Sequence, residues 1–213
     1  MPELPTLTLF LLTAWLLLIT PGPAIFYIVA RSIDQGRIAG IVSALGVAFG
    51  TLFHIGAAAL GLSALLASSA LAFTIVKYLG AAYLIYLGVR KLLDRDEPVR
   101  PPVLERVALK RIFVQGAVVN VLNPKTALFF LAFLPQFVDV ARGSVALQII
   151  VLGAMFVALG IISDGLWALL AGGAGNWLRS KLRFVRAQRY FAGSVYIGLG
   201  VATALSGSGK RGD

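Results

Sequence analysis

Residues 111–137 read RIFVQGAVVNVLNPKTALFFLAFLPQF, an apolar run long enough to cross a bilayer yet interrupted near its centre by Asn123-Pro124-Lys125. A membrane helix needs about 20 mostly apolar residues, and a proline within it removes one N–H and leaves a carbonyl without its partner. Residues 6–30 carry a second break of the same form, Thr20-Pro21-Gly22-Pro23. Laid over one another, Ile19-Thr20-Pro21-Gly22-Pro23-Ala24-Ile25-Phe26 matches Leu122-Asn123-Pro124-Lys125-Thr126-Ala127-Leu128-Phe129 in the order of its polar, Pro and aromatic positions. Further along, Lys77-Tyr78-Leu79-Gly80 matches Arg189-Tyr190-Phe191-Ala192, and Leu87-Gly88-Val89 matches Leu199-Gly200-Val201.

Apolar runs of span length fall at 6–30, 38–66, 71–92, 111–137, 145–172 and 188–206. The expectation is an all-α integral membrane protein of six transmembrane helices in two three-helix repeats, 1–93 and 111–206, with helices one and four broken. A linker over 94–110, marked by Pro98, Pro101 and Pro102, joins the repeats, and a short tail occupies 207–213. Three spans per repeat is an odd number, so the copies must be inverted relative to each other. Inverted repeats are a transporter signature, with the substrate site near the midplane.

Composition agrees with a membrane chain. Of 213 residues 59% are hydrophobic and 13% charged, and the mean hydropathy of +0.89 excludes a water-soluble domain. The absence of cysteine excludes disulfides and thiol-based metal sites, and the one histidine, His54, argues against a soft-metal site. The N-terminus lacks a signal peptide's form and is expected to be a retained first span.

The net charge of +10 does not point to nucleic acid, because the positions of the charges matter more than their sum. Arg31 and Arg37 follow the first span, Arg90, Lys91, Arg95, Arg100, Arg106, Lys110 and Arg111 the third, and Arg179, Lys181, Arg183, Arg186 and Arg189 the fifth. The opposite side holds Arg142, Lys210 and Arg211. By the positive-inside rule the first set is cytoplasmic and both termini face outward.

Each break resembles a new helix start, with Thr20 or Asn123 as N-cap and proline directly after it. The breaks free the carbonyls of Leu17, Ile19 and Asn120. Two half-helix N-termini, each with about half a positive charge, then meet in mid-membrane, where a carboxylate is the natural guest. The plainer reading is that the prolines only kink their spans. Lys125 and Asp164 are ionisable groups inside spans, which are expensive there and default to functional roles; a structural ion pair between them is the alternative. Asp164 shares a helix face with Gly160 and Gly153, and His54 shares one with Gly50 and Gly61. Lys77 fits a snorkelling residue, His54 also fits a packing residue, and Trp15, Trp167 and Trp177 fit packing or interface anchors.

Thr20-Pro21-Gly22-Pro23, the stretch 31–50 (RSIDQGRIAGIVSALGVAFG), residues 77–84 (KYLGAAYL), and Asn123-Pro124-Lys125 with 129–137 (FFLAFLPQF) together resemble the LysE/RhtB family of bacterial amino-acid exporters over essentially the whole chain. Thr51 stands where many members of that family carry an acid. The resemblance implies export of small amino acids or their derivatives (homoserine, threonine or lysine type) from the cytoplasm through the bacterial inner membrane. It also implies coupling to the proton gradient or membrane potential. The substrate is then expected at Thr20, Pro21, Gly22, Pro23, Asn120, Asn123, Pro124, Lys125 and Thr126, with its carboxylate at the half-helix starts and Lys125. Its ammonium is expected near Asp164 or the freed carbonyls, with Asp164 and His54 as candidates for ion coupling. No enzyme activity, cofactor or metal is expected, since the chain has neither an activated nucleophile nor a carboxylate cluster. A homodimer is expected from the resemblance and from small-residue faces such as Gly46 and Gly50. A divalent-cation exporter of the same wider superfamily and a non-transporting assembly subunit are the competing readings.

The charge bias gives a direct test of topology. A reporter fused after Asp213 that is active only outside the cytoplasm should be active, whereas activity of a cytoplasm-only reporter at that position contradicts it.

Overall fold

The computed structural model describes residues 4–68, 70–93, 107–179 and 182–205, and among these every regular element is helical. Most of the linker, the C-terminal tail, Trp177 and the basic residues from Arg179 to Arg189 lie outside the residues whose side chains are described. Helix α1 (Leu4–Ile19) and α2 (Pro23–Gln35) are separated by the first proline break and bent by 52°. Helix α3 (Arg37–Ser68) follows a one-residue turn at Gly36, whose φ of 86° is a backbone conformation that favours glycine. Helix α4 (Ala70–Leu93) closes the first half.

A second broken pair of helices follows. Helix α5 (Leu109–Val121) ends at Asn123-Pro124, and α6 (Pro124–Leu128) runs on through a π-helical turn at Phe129–Phe133 and a 3-10 turn at Leu134–Phe137. The bend between α5 and this continuation is 48°. Helices α7 (Val145–Arg179) and α8 (Leu182–Leu205) complete the chain.

Arg37–Gly61 of α3 and Val145–Gly173 of α7 are each long and apolar enough to cross a membrane, and each bent pair qualifies as one broken span. Helices α4 and α8 fall on the segments expected for spans three and six, with Tyr190–Leu205 a shorter apolar helix. Large apolar side chains such as Leu12, Leu16, Leu45, Phe49, Leu52 and Leu166 point outward, a belt suited to lipid tails rather than water.

One local expectation fails. Thr20 does not cap α2. Its hydroxyl donates back to the Leu16 carbonyl at 2.6 Å and its N–H to that of Leu17 at 3.1 Å, so it closes α1 instead. The N-cap of α2 is Gly22, in extended conformation with no side-chain cap, and Pro23 takes the first helical position. Two prolines two residues apart explain the shift: Pro21 forces Thr20 toward extended geometry, and Pro23 does the same to Gly22, which lacks a side chain to resist it.

Packing relates the halves. Ile55 lies against Gly153 and Arg37 against Gly172, so α3 and α7 run antiparallel. Gly200 meets Ala81 and Ile85 while Gly193 meets Gly88 and Leu92, so α4 and α8 are antiparallel too. By contrast α3 and α5 run parallel, with Gly46 beside Phe113 and Gly50 beside Ala117. Glycines make this approach possible, because a Cβ built on Gly50 would lie 2.5 Å from the Ala117 carbonyl oxygen and one on Gly116 2.7 Å from that of Ser43. The Gly46 and Gly50 face is therefore filled by α5 of the same chain and offers nothing to a second copy. The expected homodimer is left resting on the resemblance alone.

A core of Phe10, Phe129, Phe130, Phe133, Phe137 and Phe156 locks the broken segment after Pro124 against α1 and α7. The rings of Phe129 and Phe156 stack with centroids 4.5 Å apart. Trp167 packs on Ile25, Val29 and Ala171, a packing role, while the Lys77 ammonium sits over the Tyr78 ring at 5.5 Å on a half-buried flank of α4.

The glycine contacts predict that Gly50→Val forces α3 from α5 and lowers stability by about 1–3 kcal/mol, the range for overpacking. Gly56→Ala, where nothing lies within 4 Å, should be neutral. Thermal unfolding of the detergent-purified protein checks both, and equal behaviour of the two variants would contradict the packing.

Candidate functional site

The second break is held by a hydrogen-bonded hub at Asn120, the penultimate residue of α5. Its amide nitrogen donates to the Val47 carbonyl at 2.9 Å and to the Thr51 hydroxyl at 2.8 Å, both on α3. Its side-chain oxygen accepts from the Asn123 amide at 3.3 Å and from the Thr126 hydroxyl at 2.9 Å. Its main-chain carbonyl, the one Pro124 leaves open, accepts from Asn123 N at 3.0 Å and from His54 Nε2 at 2.9 Å. A carbonyl only accepts, so Nε2 of His54 carries a proton. Every donor and lone pair of the Asn120 amide is thus used, and Asn120 orders the break without capacity left for a ligand. Asn123 caps α6 as expected, accepting from Lys125 N at 3.1 Å, with Pro124 at the first helical position.

Lys125 joins the second break to the first. Its buried ammonium donates to the carbonyls of Leu17 at 2.8 Å and Thr20 at 2.6 Å, where α1 stops. Leu17 O already receives Thr20 N, so the lysine supplies the hydrogen bond that the missing helical turn cannot. An ammonium has three donors, and one remains for a ligand. This arrangement also corrects an expectation. The carbonyls of Leu17 and Asn120, anticipated as partners for a substrate ammonium, are occupied by Lys125 and by His54 with Asn123.

Beside Lys125 lies a partly enclosed cavity in which about 30 Å³ admits the centre of a water molecule. That is room for about two waters. Asp164 from α7 lines it together with Lys125, Asn120, Asn123, Thr126 and Thr51. Asp164 is 5% exposed, and no ion pair within 4.0 Å joins it to Lys125. A buried cation and a buried anion therefore face one small space without closing on each other, which is unfavourable unless something charged or strongly polar sits between them.

Of the residues expected at the site, Asn120, Asn123, Lys125, Thr126 and Asp164 line the cavity. Thr20 reaches it through Lys125. Pro21, Gly22, Pro23 and Pro124 shape the breaks without lining it, and a Cβ on Gly22 would lie 3.4 Å from the Lys125 chain. His54 stands one hydrogen bond away, behind Asn120, with its ring stacked 6.1 Å from that of Phe130. Sequence reasoning did not mark Phe156 as a wall of the site, although it lies two helical turns before Asp164 on the same face. Nor did it mark Tyr196 of α8, whose hydroxyl lies 3.4 Å from the same Gly22 position; one Tyr among apolar residues carries no such signal. Thr51 was noted only as a departure from a pattern, and here its hydroxyl fixes Asn120. Among the described residues no three His, Asp or Glu side chains come together as a metal site.

At the far end of α2 a polar clamp ties it to α5. Arg31 donates to Gln35 at 3.0 Å and to Gln115 at 2.9 Å, Tyr27 donates to the Ile112 carbonyl at 2.9 Å, and Gln35 exchanges two hydrogen bonds with the backbone of Val107.

Broken apolar helices around a partly enclosed cavity lined by a buried Lys and a buried Asp define a helical membrane protein. The sequence comparisons agree. Residues 15–207 match the model of the LysE type translocator family, and the chain belongs to that family. It is 31% identical over 197 residues to an uncharacterized membrane protein of Vibrio cholerae serotype O1, covering 92% of this chain and 95% of that one. It is 29% identical to the homoserine/homoserine lactone efflux protein of Salmonella typhimurium over 92% of this chain and 94% of the relative. With the leucine efflux protein of Salmonella choleraesuis it shares 24% identity over 92% of each. No solved structure matches the chain at a significant level.

The hub predicts unequal effects of two substitutions. Asn120→Leu strands the Asn123 amide and the Thr126 hydroxyl together and should lower stability by more than about 3 kcal/mol, whereas Thr126→Val should lose about 1 kcal/mol. Thermal unfolding in detergent distinguishes them, and a mild effect of Asn120→Leu would contradict the hub.

Proposed function

We propose that the protein is a secondary transporter that exports small amino acids or amino-acid derivatives from the cytoplasm across the bacterial inner membrane. The observation that carries the proposal is the Lys125 ammonium, held at the junction of two helix breaks with one donor to spare and Asp164 lining the same cavity. The names of the efflux relatives support amino acids as the solute. In this reading the substrate carboxylate takes the free Lys125 proton, aided by the positive end of α6, and the ammonium takes Asp164.

Access to the two sides alternates by rocking one half of the chain against the other around this fixed site. The reading uses six spans in two inverted repeats with the 94–110 linker cytoplasmic and both termini outside. Antiparallel pairing of α3 with α7 and of α4 with α8 supports it, because matched helices of inverted repeats must run in opposite directions. The proton gradient or membrane potential supplies the driving force. Asp164 alternates between substrate and proton, and His54 holds the break through Asn120.

Single and double substitutions test the assignment. Asp164→Asn should insert in the membrane and lose export by about ten- to a hundredfold, as expected for a charged hydrogen bond of ~1.5–3 kcal/mol; Lys125→Met, which also takes the donor from the Leu17 and Thr20 carbonyls, should be less abundant and lose export per inserted molecule by a similar factor. The double variant should be no more abundant than Lys125→Met and as inactive per inserted molecule. Recovery of transport in the double variant, measured against membrane abundance, would make the two residues a mere structural pair.

A further inference from the structure

Apart from its two charges, two amides and the hydroxyls of Thr51 and Thr126, which are engaged with Asn120, the cavity wall is apolar, formed largely by Leu18, Ala24, Ile25, Val47, Phe156 and Val157. Lys125 and Asp164 are the only ionisable side chains among its lining residues. A zwitterion uses both. A third charge, on the substrate's own side chain, would be enclosed against hydrocarbon with no counter-charge, which a buried site strongly disfavours.

Gly160 stands one turn before Asp164 on α7 and lines the same cavity. Its glycine is not demanded by the fold. A Cβ built there meets only Leu18 Cδ2, at 3.5 Å, an ordinary contact, and alanine is the better helix former. The space that the missing methyl group leaves opens on the cavity.

We propose that the site selects amino acids with uncharged side chains and that Gly160 sets the largest side chain it accepts. This inference rests on the amino-acid export reading and names its substrate class. The apolar wall holds the side chain, while Lys125 and Asp164 hold the zwitterionic head. Gly160, next to the wall residues Phe156 and Val157, governs how far that side chain extends.

Uptake into inverted membrane vesicles containing the full chain tests it, with the twenty amino acids first offered as competitors. Neutral amino acids should compete, and lysine, arginine, aspartate and glutamate should not. In Gly160→Ala the ratio of uptake of the largest to the smallest transported amino acid should fall by about tenfold or more, as one methyl group in an apolar pocket allows. Val157→Ala, which enlarges the cavity, should raise that ratio, and it decides the matter should Gly160→Ala fail to reach wild-type abundance. Competition by lysine or glutamate as strong as by neutral amino acids would overturn the charge selectivity. An unchanged ratio in the abundant variants would overturn the role of Gly160. Inserted protein that no amino acid engages would overturn the export reading itself, and this inference with it.

Discussion

The structure depends on an ammonium group satisfying carbonyls that proline has deprived of their helical partners. In a bilayer core no water is at hand to do so, and an unsatisfied carbonyl there costs several kcal/mol. Pro21 denies Leu17 O its helical donor, leaving it Thr20 N alone, and α1 ends before a helical donor reaches Thr20 O; Lys125, from the second break, reaches both oxygens at 2.8 and 2.6 Å. Each break thereby solves the other's problem. The lysine escapes the penalty of a lone charge in hydrocarbon, the carbonyls receive donors, and the two halves are tied together at the point where both are least regular.

Around that tie the molecule divides its labour. Asn120 saturates its own groups to hold α3, α5 and α6 in register, so the break is rigid where it meets the cavity. The phenylalanines from Phe129 to Phe137 anchor the continuation, whose π-helical turn adds a residue to the usual spacing and fits a position where side chains must be re-aimed. Glycines on α3 and α5 bring backbones close without any charged group. Facing the cavity, one donor on Lys125 and the Asp164 carboxylate are left without partners in the chain. The proposed binding of a polar solute rests on that imbalance.

Much of this was legible in the residues. The prolines marked both breaks, Asn123-Pro124 gave the cap of α6, and the placement of Lys125 and Asp164 inside apolar runs singled out the two charges that share the cavity. The rest required three dimensions. Thr20 looks like a cap, yet with prolines on both sides of Gly22 the cap shifts to glycine, and local pattern alone does not rank the two. The carbonyls that proline frees look available to a ligand, but which donor arrives first depends on a contact between residues more than a hundred positions apart. Gly46 and Gly50 look like an interface because a small-residue face does not say whether its partner lies in the same chain. Phe156 and Tyr196 carry no signal among so many apolar neighbours.

The central claim is that the junction of the two breaks, through Lys125, recognises a carboxylate. Thermal unfolding of the purified protein with each of the twenty amino acids, and with the corresponding amines that lack the carboxylate, tests it most directly. The account predicts that at least one amino acid raises the unfolding temperature while its decarboxylated amine does not, since a ligand that binds the folded state stabilises it by mass action. Equal stabilisation by the amine, or none by any amino acid, would contradict it.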